Sequence, residues 1–216
     1  MAKPKSEAAA TRTWDGNAAT YRWQERFESR AVSAAIRLAD TGPADRLVDL
    51  ATGTGIVLRA LAEAKTRPAD ALGVDRSGGM LERVGPLPPG WRVLRGDARA
   101  LPLAGGSADV VTCSYLLHLL DPGDRASVLA EARRLLGSAP RPRLVVTTVW
   151  VDRDTIGGRL LSSVLRGIAR AAPARLGGLK PLDPTADLAA AGFLVTDRVV
   201  LPRGGYPSLV LRARPV

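Results

Sequence analysis

From Arg46 to Val149 five short apolar runs alternate with stretches of helical spacing, and this alternation constrains the fold more than any single residue does. The runs are Arg46–Leu50, Ala71–Val74, Trp91–Leu94, Asp109–Thr112 and Leu144–Val149. Between them, Ile56–Ala64, Ser77–Arg83 and Asp124–Leu136 read as helices; in the last, Ala126, Leu129, Ala130 and Leu135 have helical spacing and Asp121-Pro-Gly stands before it. Strands joined through helices run parallel and are covered on both faces, and sheets of this kind bind ligands at the C-terminal ends of their strands. The last two runs differ, because only the Pro/Gly stretch 202–207 separates Val195–Leu201 from Leu209–Ala213. So short a connection predicts an antiparallel hairpin at the sheet edge. The expected class is α/β, a mostly parallel seven-stranded sheet with an antiparallel C-terminal hairpin and helices on both faces.

A chain of 216 residues, 46% hydrophobic and 24% charged, suits one globular domain that needs neither metal nor disulfide to fold. The single cysteine, Cys113, excludes an intramolecular disulfide and permits a reducing compartment. No run of about 18 uncharged apolar residues indicates a membrane span, and Met1–Glu7 lacks the apolar core of a signal peptide. A cytoplasmic location is the expectation. The formal net charge of +10 raises nucleic acid as a partner. Its distribution argues against that reading: only four of the 31 cations are Lys, and residues 159–216 alone carry +6. The excess reads as an Arg-rich composition plus one acid-free segment, 155–180.

Trp14, Tyr21, Trp23 and Phe27 are four of nine aromatics, gathered in a helical pattern from Arg12 to Leu38. They either pin an N-terminal helix to the core or close over a ligand. Residues 1–40 are accordingly read as a helical cap and 41–216 as the main domain, with a helical lid at about 152–185. In the lid, Arg159, Arg166 and Arg170 fall on one helical face. That face is solvated, lies over a lipophilic or acidic ligand, or docks on lipid or RNA.

The chemistry concentrates at strand ends. Asp49-Leu-Ala-Thr-Gly-Thr-Gly55 runs from a strand into a glycine turn and a helix, letting the backbone approach a ligand closely. A dinucleotide site wants a third glycine, yet Ile56, Val57 and Leu58 follow; and the Asp49 carboxylate suits a cationic or zwitterionic ligand better than a pyrophosphate. Asp75, 20 residues beyond Gly55, can accept both hydroxyls of a ribose. In Gly96-Asp97-Ala98 the carboxylate can accept from the exocyclic amine of adenine, with the following N–H donating to the ring.

Val48 to Gly55, Gly73-Val-Asp-Arg-Ser-Gly-Gly-Met-Leu81, Arg95-Gly-Asp-Ala98, Asp109 with Cys113-Ser-Tyr-Leu-Leu-His118, and Glu131 to Leu136 resemble the ordered motifs of class I S-adenosylmethionine-dependent methyltransferases. Within these the chain is similar to the small-molecule branch that includes the ubiquinone/menaquinone C-methyltransferases. The resemblance covers about residues 44–150, and Ala191-Gly-Phe193 with the two final strands fits the family's closing hairpin.

It implies a Rossmann-like methyltransferase fold and S-adenosyl-L-methionine as cofactor, held by Tyr21, Asp49, Ala51, Thr52, Gly53, Gly55, Asp75, Arg76, Met80, Gly96, Asp97, Ala98 and Cys113. Two departures stand out: Ala51 replaces the family's first glycine, and Gly137-Ser-Ala-Pro-Arg-Pro142 replaces its Pro-Gly-Gly. Asp49 otherwise caps the following loop, and Met80 is otherwise core.

The acceptor is expected among Trp14, Trp23, Tyr115, His118, Arg159 and Arg166. His118, the only histidine, is a candidate base or shapes the acceptor pocket, with Tyr115 a second candidate. Cys113 lacks the preceding Pro of the RNA cytosine-5 enzymes and reads as a buried thiol rather than a nucleophile. No Cys/His cluster suggests zinc. The implied activity is methyl transfer to O, C or N of a small, hydrophobic or anionic acceptor by a monomer or homodimer. Two rival readings are an RNA or protein methyltransferase docking through 155–180, with a membrane surface a weaker partner for that segment, and a cofactor-binding protein without catalysis.

Overall fold

The computed structural model describes residues 27–137, 139–150, 181–202 and 206–216. Its first element is a helix, α1, at residues 27–39. Then follow β1 (Arg46–Leu50), α2 (Ile56–Ala62), β2 (Asp70–Asp75), α3 (Gly78–Leu81), β3 (Arg92–Arg95), β4 (Val110–Ser114), a 3-10 turn (Leu117–Leu119), α4 (Pro122–Leu136), β5 (Arg143–Val149), α5 (Thr185–Ala190), β6 (Phe193–Leu201) and β7 (Ser208–Pro215). All seven expected strands form, within one or two residues at most ends. They make a single sheet of order β3-β2-β1-β4-β5-β7-β6, parallel from β3 to β5 and antiparallel in the last two pairings.

Strand periodicity sorts side chains to two faces. Along β1 and β4, Leu47 and Val110 enter one apolar cluster while Val48, Leu50, Val111 and Cys113 enter the other. The first cluster is closed by α1 and α2. From α1 come Ala31, Ala34, Ala35 and Ala39, whose small side chains allow close approach to the sheet, and from α2 come Val57, Leu58 and Leu61. Residues 27–39, assigned to a cap from sequence, thus contribute to the same core as the sheet. The second cluster is closed by α4 and α5 through Leu129, Ala132, Leu135, Leu136 and Leu188. Helix α4 begins as the sequence indicates: the Asp121 side chain accepts the Asp124 N–H at 2.9 Å and Pro122 occupies the first turn, where no intrahelical N–H bond is lost.

Ion pairs hold the N-terminal entries of the strands. Arg46 forks the Asp109 carboxylate at 2.9 and 3.2 Å, holding the entries of β1 and β4 together. Arg143, the first residue of β5, is 2% exposed; it pairs with Asp45 at 2.7 Å and donates to the Asp40 carbonyl at 3.0 Å. Among the described residues no helix is long and apolar enough to cross a membrane.

Candidate active site

The turn after β1 is built from left-handed backbone. Ala51, Gly53 and Gly55 have φ of 56°, 56° and 80°. Gly55 is required twice over, since a Cβ there would lie 2.7 Å from Val84 Cγ1. At Gly53 a Cβ would meet no atom within 4 Å, so the turn is open on that side. Ala51 keeps the left-handed shape despite its methyl group, at a cost of about 1 kcal/mol.

The turn is tied to β2. The Thr52 N–H donates to the Val74 carbonyl at 2.9 Å, and the Gly53 N–H donates to Asp75 Oδ2 at 2.9 Å. Asp75 Oδ1 accepts the Ser77 N–H at the same distance. With a third donor in the Arg76 N–H, the carboxylate keeps acceptor capacity for a ligand hydroxyl at the turn. Burial raises the Asp75 pKa, opposed by the backbone donors at Ser77, Gly53 and Arg76.

Asp49 lies below this turn, 1% exposed. Thr112 Oγ1 donates to its Oδ1 at 2.6 Å, while Oδ2 and Thr52 Oγ1 have no hydrogen bond of good geometry. Burial pushes the Asp49 pKa up to about 6, against the hydroxyls of Thr112 and Thr52 and with the charge of Asp75 adding to the rise. A buried carboxylate with an unsatisfied oxygen beside a second carboxylate favours a cation at the turn above. The residues therefore fit the zwitterionic, sulfonium-bearing cofactor expected from the sequence better than they fit a phosphate. Both oxygens of Asp49 are enclosed, so a ligand at the turn would meet the field of the carboxylate rather than a hydrogen bond with it. No N–H of the following loop donates to Asp49, its hydrogen bond being from Thr112 on β4.

The third strand end holds Gly96, Asp97 and Ala98. The Gly96 N–H donates to the Asp75 carbonyl at 2.9 Å, tying this loop to β2. Asp97 is already engaged: the Arg99 guanidinium forks it and the Arg99 N–H donates to Oδ1 at 3.0 Å. Sequence reading missed Arg99, although a cation two residues after a carboxylate in a turn was a legible signal. Arg76 stands near both carboxylates and lowers the pKa of each. Met80 is 3% exposed, one of the buried apolar residues although it joins neither large cluster.

On the β4 side, Tyr115 has φ 57°, a strained conformation for a bulky residue. Its N–H donates to the Thr147 carbonyl at 2.8 Å, and its hydroxyl lies 2.8 Å from Ser208 Oγ. Ser208 Oγ is itself 2.8 Å from the Tyr206 carbonyl. A carbonyl only accepts, so the serine spends its one hydrogen there and the Tyr115 hydroxyl must donate to the serine. Tyr115 is left with lone pairs only. Burial keeps its phenol protonated, raising the pKa.

The Tyr115 ring meets His118 edge-on at 6.2 Å and Tyr206 at 6.4 Å, and Tyr206 lies 6.0 Å from Phe27. Tyr206 and Ser208, in and after the hairpin turn, were invisible as site residues because the sequence marks that stretch only as a turn. His118 is 4% exposed with Nδ1 unpartnered, and burial pushes its pKa down to about 4. The Cys113 side chain belongs to the apolar cluster under α4, and burial raises its pKa. It holds no thiolate for covalent chemistry. Trp14, Tyr21, Trp23, Arg159 and Arg166, and the lid up to residue 180, lie outside the described residues. Among those described, no group of three or more His, Cys, Asp or Glu is placed to hold a metal.

Residues 47–138 match the family model described as methyltransferase domain. The demethylmenaquinone methyltransferase of Beutenbergia cavernae is 34% identical over 133 residues, covering 60% of this chain and 52% of that protein. A ubiquinone/menaquinone biosynthesis C-methyltransferase of Syntrophotalea carbinolica is 33% identical over 151 residues, covering 68% and 60%. The chain spans about half the length of the curated relatives it matches. Human N-acetylserotonin methyltransferase, solved with S-adenosylmethionine, superposes with a TM-score of 0.69 at 17% identity, over 98% of this chain and 60% of that one. It shares the Rossmann-like fold. Residues 47–138 of this chain form a class I S-adenosylmethionine-dependent methyltransferase domain, similar in sequence to the menaquinone C-methyltransferases.

Proposed function

We propose that the protein transfers a methyl group from S-adenosylmethionine to a small, largely apolar acceptor seated against Tyr115 and His118. The observation that carries this reading is the row of carboxylates Asp49, Asp75 and Asp97 at or just beyond the C-terminal ends of three adjacent strands, around a turn that is open at Gly53. When bound, S-adenosylmethionine supplies a methyl group on a positively charged sulfur. Asp49 and Asp75 give the turn the negative potential that receives such a charge, and the remaining acceptor capacity of Asp75 receives a ribose hydroxyl.

Methyl transfer is an in-line displacement in which positioning does most of the work. Tyr115, able only to accept, orients an acceptor through a hydroxyl or amine hydrogen. The aromatic group of Phe27, Tyr206, Tyr115 and His118 offers flat apolar walls. Relatives named for quinone methylation accord with an acceptor of this kind.

His118 shapes this pocket rather than serving as the base. With its pKa pushed down to about 4 it is neutral above pH 5 and too weak a base to draw a proton efficiently near neutrality. Its conversion to Ala is expected to lower kcat/KM by less than about tenfold and to leave the pH profile between 5.5 and 8 unchanged, whereas loss of a general base costs about 10²–10⁴.

Cofactor binding tests the site directly. In Asp75→Ala the Kd for S-adenosylhomocysteine, measured by calorimetry, is expected to rise at least about 30-fold, the loss of one or two charge-assisted hydrogen bonds. An unchanged Kd would remove the site assignment. Transfer of isotopic methyl from S-adenosylmethionine into extracts of the source organism would then reveal the acceptor.

A further inference from the structure

Asp97 and Arg99 form a closer unit than a surface ion pair. Arg99 Nε lies 3.0 Å from Asp97 Oδ1 and 3.1 Å from Oδ2, Nη2 lies 2.6 Å from Oδ2, and the Arg99 N–H donates to Oδ1 at 3.0 Å. The third arm, Nη1, donates to Asp124 Oδ1 at 2.8 Å in the first turn of α4. Asp124 is in turn fixed by the bond from its own N–H to Asp121. The guanidinium is thus anchored between a loop and a 15-residue helix. On the other side, Ala100 N–H donates to the Asp97 carbonyl at 3.0 Å and closes the turn. With backbone and fork both held, the carboxylate plane has one orientation.

We propose that Arg99 is a positioning residue of the adenosine subsite, holding Asp97 in one orientation with room for a single further donor. The inference rests on the cofactor reading above. An ionised carboxylate offers about four acceptor sites. Three hydrogens of Arg99 take three of them: the main-chain N–H and Nε are directed to Oδ1 and Nη2 to Oδ2, the 3.1 Å Nε–Oδ2 contact being the second branch of the one Nε hydrogen. What remains is on Oδ2, in a side chain still 35% exposed.

One acceptor position matches one N–H of an amine and repels a carbonyl. Adenine carries an amine at C6 and hypoxanthine a carbonyl, so the fork turns a flexible carboxylate into a reader of that one position. Arg–carboxylate forks impose plane and direction in a way that a lysine does not. Lowering of the Asp97 pKa by Arg99 keeps the group an acceptor throughout the neutral range.

The test is calorimetric binding of S-adenosylhomocysteine and S-inosylhomocysteine, with thermal melts as a folding check. Wild type is expected to prefer the adenosyl ligand by about 30-fold, the order of one hydrogen bond to a charged group. Arg99→Ala is expected to weaken the adenosyl ligand about tenfold while changing the inosyl ligand less than twofold. Arg99→Lys, which keeps the charge and loses the fork, is expected to leave the preference reduced. Asp124→Asn, which touches only the α4 arm, is expected to keep it. Arg99→Ala added to Asp97→Ala is expected to cost nothing more, as for two members of one unit. Equal weakening of both ligands by Arg99→Ala, or additive losses in the double variant, would overturn the proposal. If Asp97→Ala alone leaves the adenosyl Kd at the wild-type value, the adenosine-subsite reading itself fails, and the proposal with it.

Discussion

Asp49→Asn is expected to yield a protein that is more stable and binds its cofactor less well. The Asp49 carboxylate is enclosed, and its pKa is raised to about 6 from an ordinary 3.8. A carboxyl raised in the folded state favours folding most when protonated; that contribution is complete below about pH 4 and is lost as the pH rises through 6. At pH 8 the fold therefore carries the whole cost of a buried charge, about 2–3 kcal/mol for a shift of this size. Asparagine escapes it. Its carbonyl still accepts from Thr112, and its amide can donate to Thr52 Oγ1, which makes no hydrogen bond of good geometry with the carboxylate. Thermal melts should show a gain of about 5–10 °C at pH 8 that shrinks toward zero near pH 4. S-adenosylmethionine binding should fall about tenfold or more, and S-adenosylhomocysteine binding by less, because only the former carries the sulfonium charge. A melt at pH 8 equal to wild type would show that the carboxylate costs the fold nothing.

The other large effect is at the far end of the sheet. Arg143 is among the largest fully buried side chains, and its charge is answered by Asp45. Asp45→Ala removes that partner, together with the bond that Asp45 accepts from the Gly42 N–H at 2.7 Å. Breaking a buried pair from one side costs about 3–5 kcal/mol, since the remaining charge is stranded. Urea unfolding should show the loss as a lower midpoint with an unchanged slope. Arg143→Met with Asp45→Ala should recover most of it, because a long apolar side chain fills the same space without a charge to satisfy. Cofactor Kd values should be the same in wild type and the double variant, the network lying at the strand entries rather than the strand exits.

These two residues also show how far the sequence could be read. The sheet was legible because apolar runs four to seven residues long alternate with helical spacing, and because the strand-turn-helix at 46–62 follows local rules of glycine conformation. Asp49, Asp75 and Asp97 were legible by position at strand ends. Arg143 was not, since an arginine opening a strand reads as part of the basic turn before it, and only pairing with Asp45 across about 100 residues buries it. Tyr206 and Ser208 were hidden for the same reason. Their partners Phe27 and Tyr115 are remote in the chain, and only the placement of β7 beside β5 brings them together. Asp97 lies just beyond the end of β3, and the Arg99 fork, formed by a residue two positions on, reshapes what its carboxylate can accept.

The placement of β7 has a further bearing on how the chain is made. Strand β7 follows β6 in sequence but lies inside it, hydrogen-bonded to β5 on one side and β6 on the other. On the ribosome, a nascent chain that has emerged only to residue 201 holds β6 with no neighbour to join and leaves the β5 edge unpaired, from Leu144 to Val149. That edge is wholly buried in the finished fold and is the kind of surface that recruits other chains. Completion of the sheet waits for the residues after 207, so ribosome pausing ahead of them should be the stage at which chaperones matter most to this protein.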